Sequence, residues 1–181
     1  DKSYLIVSNP NNGEIMSWVG KKITKDHTFI DYSYNTILDS YAMGSAVKGA
    51  SISVGYKYKL IDDNFKVKDA CVKLYFQRDK CSWKSLGYID DLEALRMSSN
   101  YFQYIIAIKS TGKEYKRNMK LNTTMEDFKR YRDVFNEYGL GVLTNIDLNK
   151  ESSGVKGNIV SDDLLLNLSI GQYDAYTPIQ L

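Results

Sequence analysis

Tyr41-Ala42-Met43-Gly44-Ser45-Ala46-Val47-Lys48-Gly49-Ala50 is the stretch on which the reading of this chain turns. From Ala46 to Tyr56 the residues are small and moderately apolar, which predicts a buried helix despite Gly49 and Gly55. On a helix, residues three apart share a face, so the Lys48 amine can reach the Ser45 hydroxyl. A neutral lysine can then take the serine proton and make a nucleophile without histidine. The demand is steep: an amine with an ordinary pKa of ~10.4 must fall by ~3 units, about 4 kcal/mol of differential interaction. Burial, a neighbouring positive charge or a helix N-terminus can supply it. The spacing alone is common. Ser110–Lys113 and Ser153–Lys156 repeat it in stretches that read as loops, and a lone Ser45 reads as a helix start.

A second constellation changes that balance. Ser98-Ser99-Asn100 falls in a polar break between two helical patterns. In a non-helical turn, residues two apart can point into one cleft. There a serine hydroxyl relays a proton, and an asparagine amide orients a lysine or binds a substrate amide. Ser33-Tyr34-Asn35 matches the same pattern, and Ser98 read alone is a helix cap.

Around these two groups the chain reads as follows. Tyr4–Val7 and Ile15–Val19 are β-rich runs joined by the turn residues Asn9-Pro10-Asn11-Asn12-Gly13, which predicts an opening hairpin. Both runs are apolar on both faces, so the hairpin is expected to be covered. Lys21–Tyr41 reads as loop with a short helical turn, and Phe65–Val67 and Cys71–Phe76 as strands. Ile89, Leu92 and Leu95 mark one helix, Tyr101–Ile108 another. Thr123-Thr124-Met125-Glu126 reads as a capping box before a helix whose buried face is Phe128, Tyr131, Phe135 and Tyr138, stopped by Gly139. Gly141–Gly157 is a long loop, and Ser161-Asp162-Asp163 caps a last apolar helix. Thr177-Pro178 is a further helix start just before Leu181. A helix so short cannot hold itself together, so residues 1–181 are expected to be one domain truncated at its C-terminus.

Composition narrows the function classes. The chain has 181 residues, 43% hydrophobic and 25% charged, with a net charge of +2. That is one ordinary globular domain, too evenly charged for a chain devoted to nucleic acid or anionic lipid. No apolar run approaches the roughly 18 residues of a bilayer span. One histidine and two cysteines cannot complete a four-ligand zinc site, and His27, in Lys25-Asp26-His27-Thr28, reads as a polar loop residue. Cys71 and Cys81 could be bridged across a hairpin in an oxidising compartment, but spacing does not fix the Cα separation, and two free thiols are the plainer reading.

Taken together, these residues resemble the transpeptidase domain of penicillin-binding proteins, of the class B kind, whose signature set is Ser-x-x-Lys, Ser-x-Asn and Lys-Thr-Gly. Leu5–Met16 is similar to that family's opening hairpin and Tyr41–Ala50 to its nucleophile segment. Met97–Asn100 sits where the second motif belongs. Tyr138–Leu148 with Glu151–Gly154 resembles a characteristic loop, and Gly171-Gln172 with Thr177–Leu181 the segment that leads into another helix. The resemblance implies an α+β fold, a truncated penicillin-binding/β-lactamase-like transpeptidase domain, mostly helical with an N-terminal hairpin and a few short strands. It implies Ser45 as the acyl-accepting nucleophile, Lys48 as its general base, Ser98 in proton transfer and Asn100 in substrate binding. It implies no metal or organic cofactor.

The implied partners are peptidoglycan stem peptides ending in D-Ala-D-Ala, β-lactams, and other proteins of cell-wall synthesis, with no nucleic acid. The implied location is the extracytoplasmic face of a bacterial membrane, with an N-terminal anchor outside this chain. Two departures stand out. Met43 replaces a customary proline, which predicts a looser turn, and no Lys-Thr-Gly occurs, Lys109-Ser110-Thr111-Gly112 having one residue too many. A fragment without that strand is expected to be inactive, and its hairpin to expose an edge open to self-association. Two alternatives remain at this stage: a class D-like β-lactamase or β-lactam sensor, whose second motif usually ends in valine, and a non-catalytic cell-wall scaffold.

Overall fold

The most apolar helix of the chain is also its centre. In the computed structural model, which describes all of residues 1–181, this helix runs Asn100–Ser110, and every residue from Tyr101 to Ile108 is buried. A helix with so little polar surface has no broad face to offer water, so other elements must surround it.

In chain order, β1 (Lys2–Ser8), β2 (Ile15–Ile23) and β3 (Phe29–Asp31) form an antiparallel sheet in that spatial order. Its register pairs Leu5 with Val19 and Ile6 with Trp18, with an irregularity at Val7/Ser8. A 3₁₀ turn at Gly44–Val47 leads into α1 (Lys48–Lys57). Short strands β4 (Val67–Lys68), β5 (Cys71–Val72), β6 (Lys80–Cys81) and β7 (Tyr88–Ile89) pair as β4–β7 and β5–β6. Then come α2 (Asp91–Arg96), the central α3 (Asn100–Ser110), α4 (Met125–Glu137) and α5 (Asp162–Ser169). Helix α1 packs against both α3 and α4, and α5 packs against the same two helices.

One face of α4 carries Phe128, Tyr131, Val134 and Phe135 into the core, where Phe135 meets Tyr131 and Tyr176 edge-to-face. Each such ring contributes about 1.5–3 kcal/mol by leaving water. Tyr138, placed on that face by its spacing, is the C-cap instead and stays exposed, because the helix ends before its turn comes round. The capping box is Thr124 with Asp127, one residue later than the sequence suggests. The reason is competition: the Asp162 carboxylate accepts from the backbone N–H and hydroxyl of Thr123, so Thr123 belongs to that contact.

Other expectations are also revised. Lys21–Tyr41 is less irregular than read: β2 continues to Ile23, and Phe29–Asp31 adds a third strand. The hairpin is only partly covered: Ser33–Thr36 packs against β2 and Pro178–Gln180 against β1, while Leu5 (57% exposed) and Met16 (72%) face outward. Cys71–Phe76 yields only a two-residue strand, since Phe76 takes φ +54° and turns into solvent. Ile89 belongs to β7, and Leu92 and Leu95 lie on the exposed side of α2. Ser110 is not in a loop but ends α3, buried. The cysteines are not free thiols. Cys71 and Cys81 are direct partners in the β5–β6 register, with Cα atoms 4.3 Å apart, and are bridged. That separation suits the close, non-hydrogen-bonded position of an antiparallel pair.

Candidate active site

The turn before α1 is built by backbone. Gly44 takes φ +57°, and its N–H donates to the Gly171 carbonyl at 2.9 Å. Gly171 itself has φ +74°, and a Cβ there would stand 2.2 Å from the Gly44 oxygen, so the approach is open only to glycine. Upstream, Tyr41 and Tyr176 exchange both backbone hydrogen bonds (2.8 and 2.9 Å). Met43 adopts φ −79°, within the range a proline fixes, so the turn keeps its shape without one.

This frame leaves Ser45 exposed, its hydroxyl outside any hydrogen bond, at the start of the helix. Lys48, one turn on, is the opposite: 2% exposed, on the buried side of α1. Its ammonium donates to Ser98 O (2.7 Å), Ser98 Oγ (3.0 Å) and Asn100 Oδ1 (2.7 Å). All three acceptors are uncharged, and Lys48 joins no ion pair. Burial therefore acts on the amine without a compensating carboxylate and pushes it down to about 8. In the neutral form two N–H groups still match Ser98 O and Asn100 Oδ1. The freed lone pair can then accept a proton from a hydroxyl.

Ser98 reaches Lys48 through an unusual backbone. Helix α2 ends in a Schellman turn: the Ser98 N–H donates to Leu95 O (3.1 Å) and the Ser99 N–H to Ala94 O (2.8 Å). The left-handed position in that motif, normally glycine, is Ser98, with φ +53°. This strained conformation presents both its carbonyl and its hydroxyl to one lysine. Ser99, not Ser98, is the helix cap; it accepts from the Phe102 N–H at 3.1 Å. Asn100 is the first residue of α3, and its Nδ2 donates to Cys81 O at 3.2 Å.

The four residues singled out from the sequence thus divide. Lys48, Ser98 and Asn100 are joined by hydrogen bonds, while Ser45 lies on the adjoining open surface. Ser33 and Asn35, the rival match, serve the fold: Ser33 Oγ accepts from the Gly20 N–H, and Asn35 bonds Asp39. His27 is exposed in the β2–β3 turn. Behind the Lys48 partners stand Asp69, Ser82 and Trp83, which sequence reasoning did not single out. Asp69 accepts from Ser82 Oγ (2.7 Å) and Ser99 Oγ (2.8 Å), and Trp83 Nε1 donates to Met97 O (2.9 Å). No local pattern marks them, because they reach the site only through the β5–β6 hairpin. A groove lies elsewhere, between the hairpin (Ile6, Ile15), Ile146 and Pro178–Leu181.

Comparison with known proteins identifies the family. The chain is 39% identical over its whole length to penicillin-binding protein 2A of Bacillus subtilis and spans 26% of that protein. It is 31% identical to penicillin-binding protein 2B of Streptococcus pneumoniae, with 98% of the chain and 27% of that protein aligned. The solved structure of penicillin-binding protein 2B from strain R6 superposes with a TM-score of 0.93 over 98% of this chain and 30% of that one, at 30% identity. The chain therefore spans about a quarter of the length of the curated relatives it matches. The description "Penicillin binding protein transpeptidase domain" matches residues 3–181. A buried lysine held by uncharged partners within that fold, and a family match running almost end to end, lead to one assignment: this chain belongs to the penicillin-binding protein transpeptidase domain family.

Proposed function

We propose that this chain carries the nucleophile portion of a peptidoglycan D,D-transpeptidase. The observation that carries the reading is Lys48, buried, without a carboxylate partner and one helical turn from an exposed serine. Neutral Lys48 takes the Ser45 proton as Oγ attacks the carbonyl of the penultimate D-alanine of a stem peptide. The Ser45 N–H, in the first turn where backbone donors lack intrahelical acceptors, offers one hydrogen bond to the oxyanion. Collapse breaks the peptide bond. D-alanine leaves with a proton passed through Ser98, and an ester remains on Ser45. An amine of a neighbouring stem then attacks that ester and gives its proton to Lys48. The bond from the carbonyl carbon to Ser45 Oγ breaks, and Lys48 returns the proton to that oxygen, which completes the cross-link and frees the serine. A β-lactam enters by the same first step, but its leaving nitrogen stays tethered after ring opening. Asn100 holds Lys48 and offers its amide to the substrate.

Residues 1–181 contain no Lys-Thr-Gly, so by themselves they are expected to acylate slowly or not at all. The working enzyme is the longer protein of which the relatives are examples. We place it on the extracytoplasmic face of a bacterial membrane, where a Cys71–Cys81 bridge is stable. No helix of this chain is long and apolar enough to cross a membrane. The outer edge of β1 pairs with no strand of the chain, and self-association through it would show as concentration-dependent sedimentation; a monomer at all concentrations would dismiss that contact.

The test is acylation of the full-length protein by a fluorescent penicillin, followed by peptide mass mapping. The expected adduct lies on the peptide containing Ser45, and Ser45→Ala abolishes it. An adduct on another residue, or equal labelling of Ser45→Ala, would overturn the assignment.

A further inference from the structure

The polar wall facing Lys48 does not hold itself in place. Segment Cys81-Ser82-Trp83, running out of the end of β6, grips it at both ends. Trp83 Nε1 donates to the Met97 carbonyl, at the end of α2 (2.9 Å). Ser82 Oγ accepts from the N–H groups of Asn100 (3.1 Å) and Tyr101 (3.2 Å), at the start of α3. The Cys81 carbonyl accepts from Asn100 Nδ2 (3.2 Å), fixing which way the amide faces and therefore that its oxygen meets Lys48.

The first N–H groups of a helix have no partners within it. Here the first two are satisfied from another segment by Ser82, and the third by Ser99. For both hydroxyls to keep lone pairs turned to those N–H groups, their own protons must go elsewhere. Both go to Oδ2 of Asp69, which is buried and in no ion pair. Its negative charge beside the start of α3 is also favourably placed against the helix dipole. The Cys71–Cys81 bridge then ties the gripping segment to β5 next to Asp69, closing a ring of contacts from Asp69 round to Asn100.

Resting on the transpeptidase reading above, we infer that Ser82 and Asp69 are positioning residues for that reaction, with the Cys71–Cys81 bridge as their brace. They touch neither Ser45 nor Lys48. They act by setting the start of α3, and with it the Asn100 amide and the Ser98 turn that hold the Lys48 amine. A displacement of about 1 Å in such a group costs on the order of 10²-fold in rate.

The test uses the full-length protein and measures two things: the rate constant of acylation by a fluorescent penicillin among molecules that label, and solvent exchange of the Asn100 side-chain amide by NMR. Ser82→Ala is expected to slow acylation about 10- to 100-fold at full labelling amplitude and to speed exchange at Asn100 Nδ2. Ser82→Thr, which keeps the hydroxyl, restores both. The Cys71→Ser/Cys81→Ser double variant shows the same two changes to a lesser degree. A merely structural role would instead lower the labelled fraction and leave the rate of labelled molecules unchanged. That result, a wild-type rate in Ser82→Ala, or unchanged exchange at Asn100, overturns the inference. If the wild-type protein takes no label, the transpeptidase reading fails, and the exchange measurement alone decides whether Ser82 sets Asn100.

Discussion

Replacing Lys48 with methionine should remove a pH dependence of stability that the wild-type chain carries because of this one side chain. In the folded chain burial pushes the amine from its ordinary 10.5 down to about 8. Between those two values the unfolded chain binds the proton more tightly than the folded one, so stability rises with pH across that window. Below about 8 both states are protonated and the folded state bears the full cost of burying a charge. Above 10.5 both are neutral and the cost is gone. At about 1.4 kcal/mol per unit the step amounts to about 3 kcal/mol.

Lys48→Met has no such step, and the other titrating groups cancel when the two proteins are subtracted. Urea unfolding of both at intervals from neutral pH to above the lysine range should give a difference that climbs by about 3 kcal/mol, or about 6–12 °C in Tm for a domain of this size. A flat difference would mean that Lys48 titrates as a free lysine, and a falling one that it has an anionic partner; either would refute the reasoning. The same shift bears on chemistry. At pH 7 about one Lys48 in ten would be neutral, against about one in 3000 for an unperturbed amine.

Further outcomes follow from other contacts. Ser98→Gly should stabilise the chain by about 1 kcal/mol, read as a higher urea midpoint, because glycine adopts φ +53° without a Cβ penalty. Acylation in the full-length protein should fall in the same variant, since Lys48 loses the Ser98 hydroxyl. Arg132→Ala strands Asp174, fully buried and held by Nε and Nη2 at 2.8 Å, and should cost about 3–5 kcal/mol in urea unfolding. Its guanidinium also donates to Gly157 O, so proteolysis of the 141–160 loop should quicken in that variant.

Much of the helical framework was legible because its signals are local. Ser161 caps α5 as its spacing suggested, Thr177-Pro178 opens a short turn closed by Gln180, and Phe128, Tyr131 and Phe135 recur at a helical period. What was illegible depends on partners distant in sequence. Three residues, Phe29–Asp31, make a strand only because β2 lies beside them. Cys71 and Cys81 become neighbours only once the β5–β6 register is known. Within the site, spacing could place Ser45 and Lys48 on one turn, and the break at Ser98–Asn100 was visible. That Ser98 would occupy a glycine's conformation, or that Asp69 and Ser82 would stand behind it, has no trace in local pattern.

The reciprocal backbone pair between Tyr41 and Tyr176, with Gly44 resting on Gly171, has a temporal consequence. A ribosome delivers the serine long before it delivers the stretch that shapes the bend ahead of it. Until residue 176 has emerged and docked, that bend has no template, and closing so long a loop is slow compared with local helix formation. The bend that presents Ser45 thus stays unformed through most of synthesis and takes shape only when the last part of this sequence folds back.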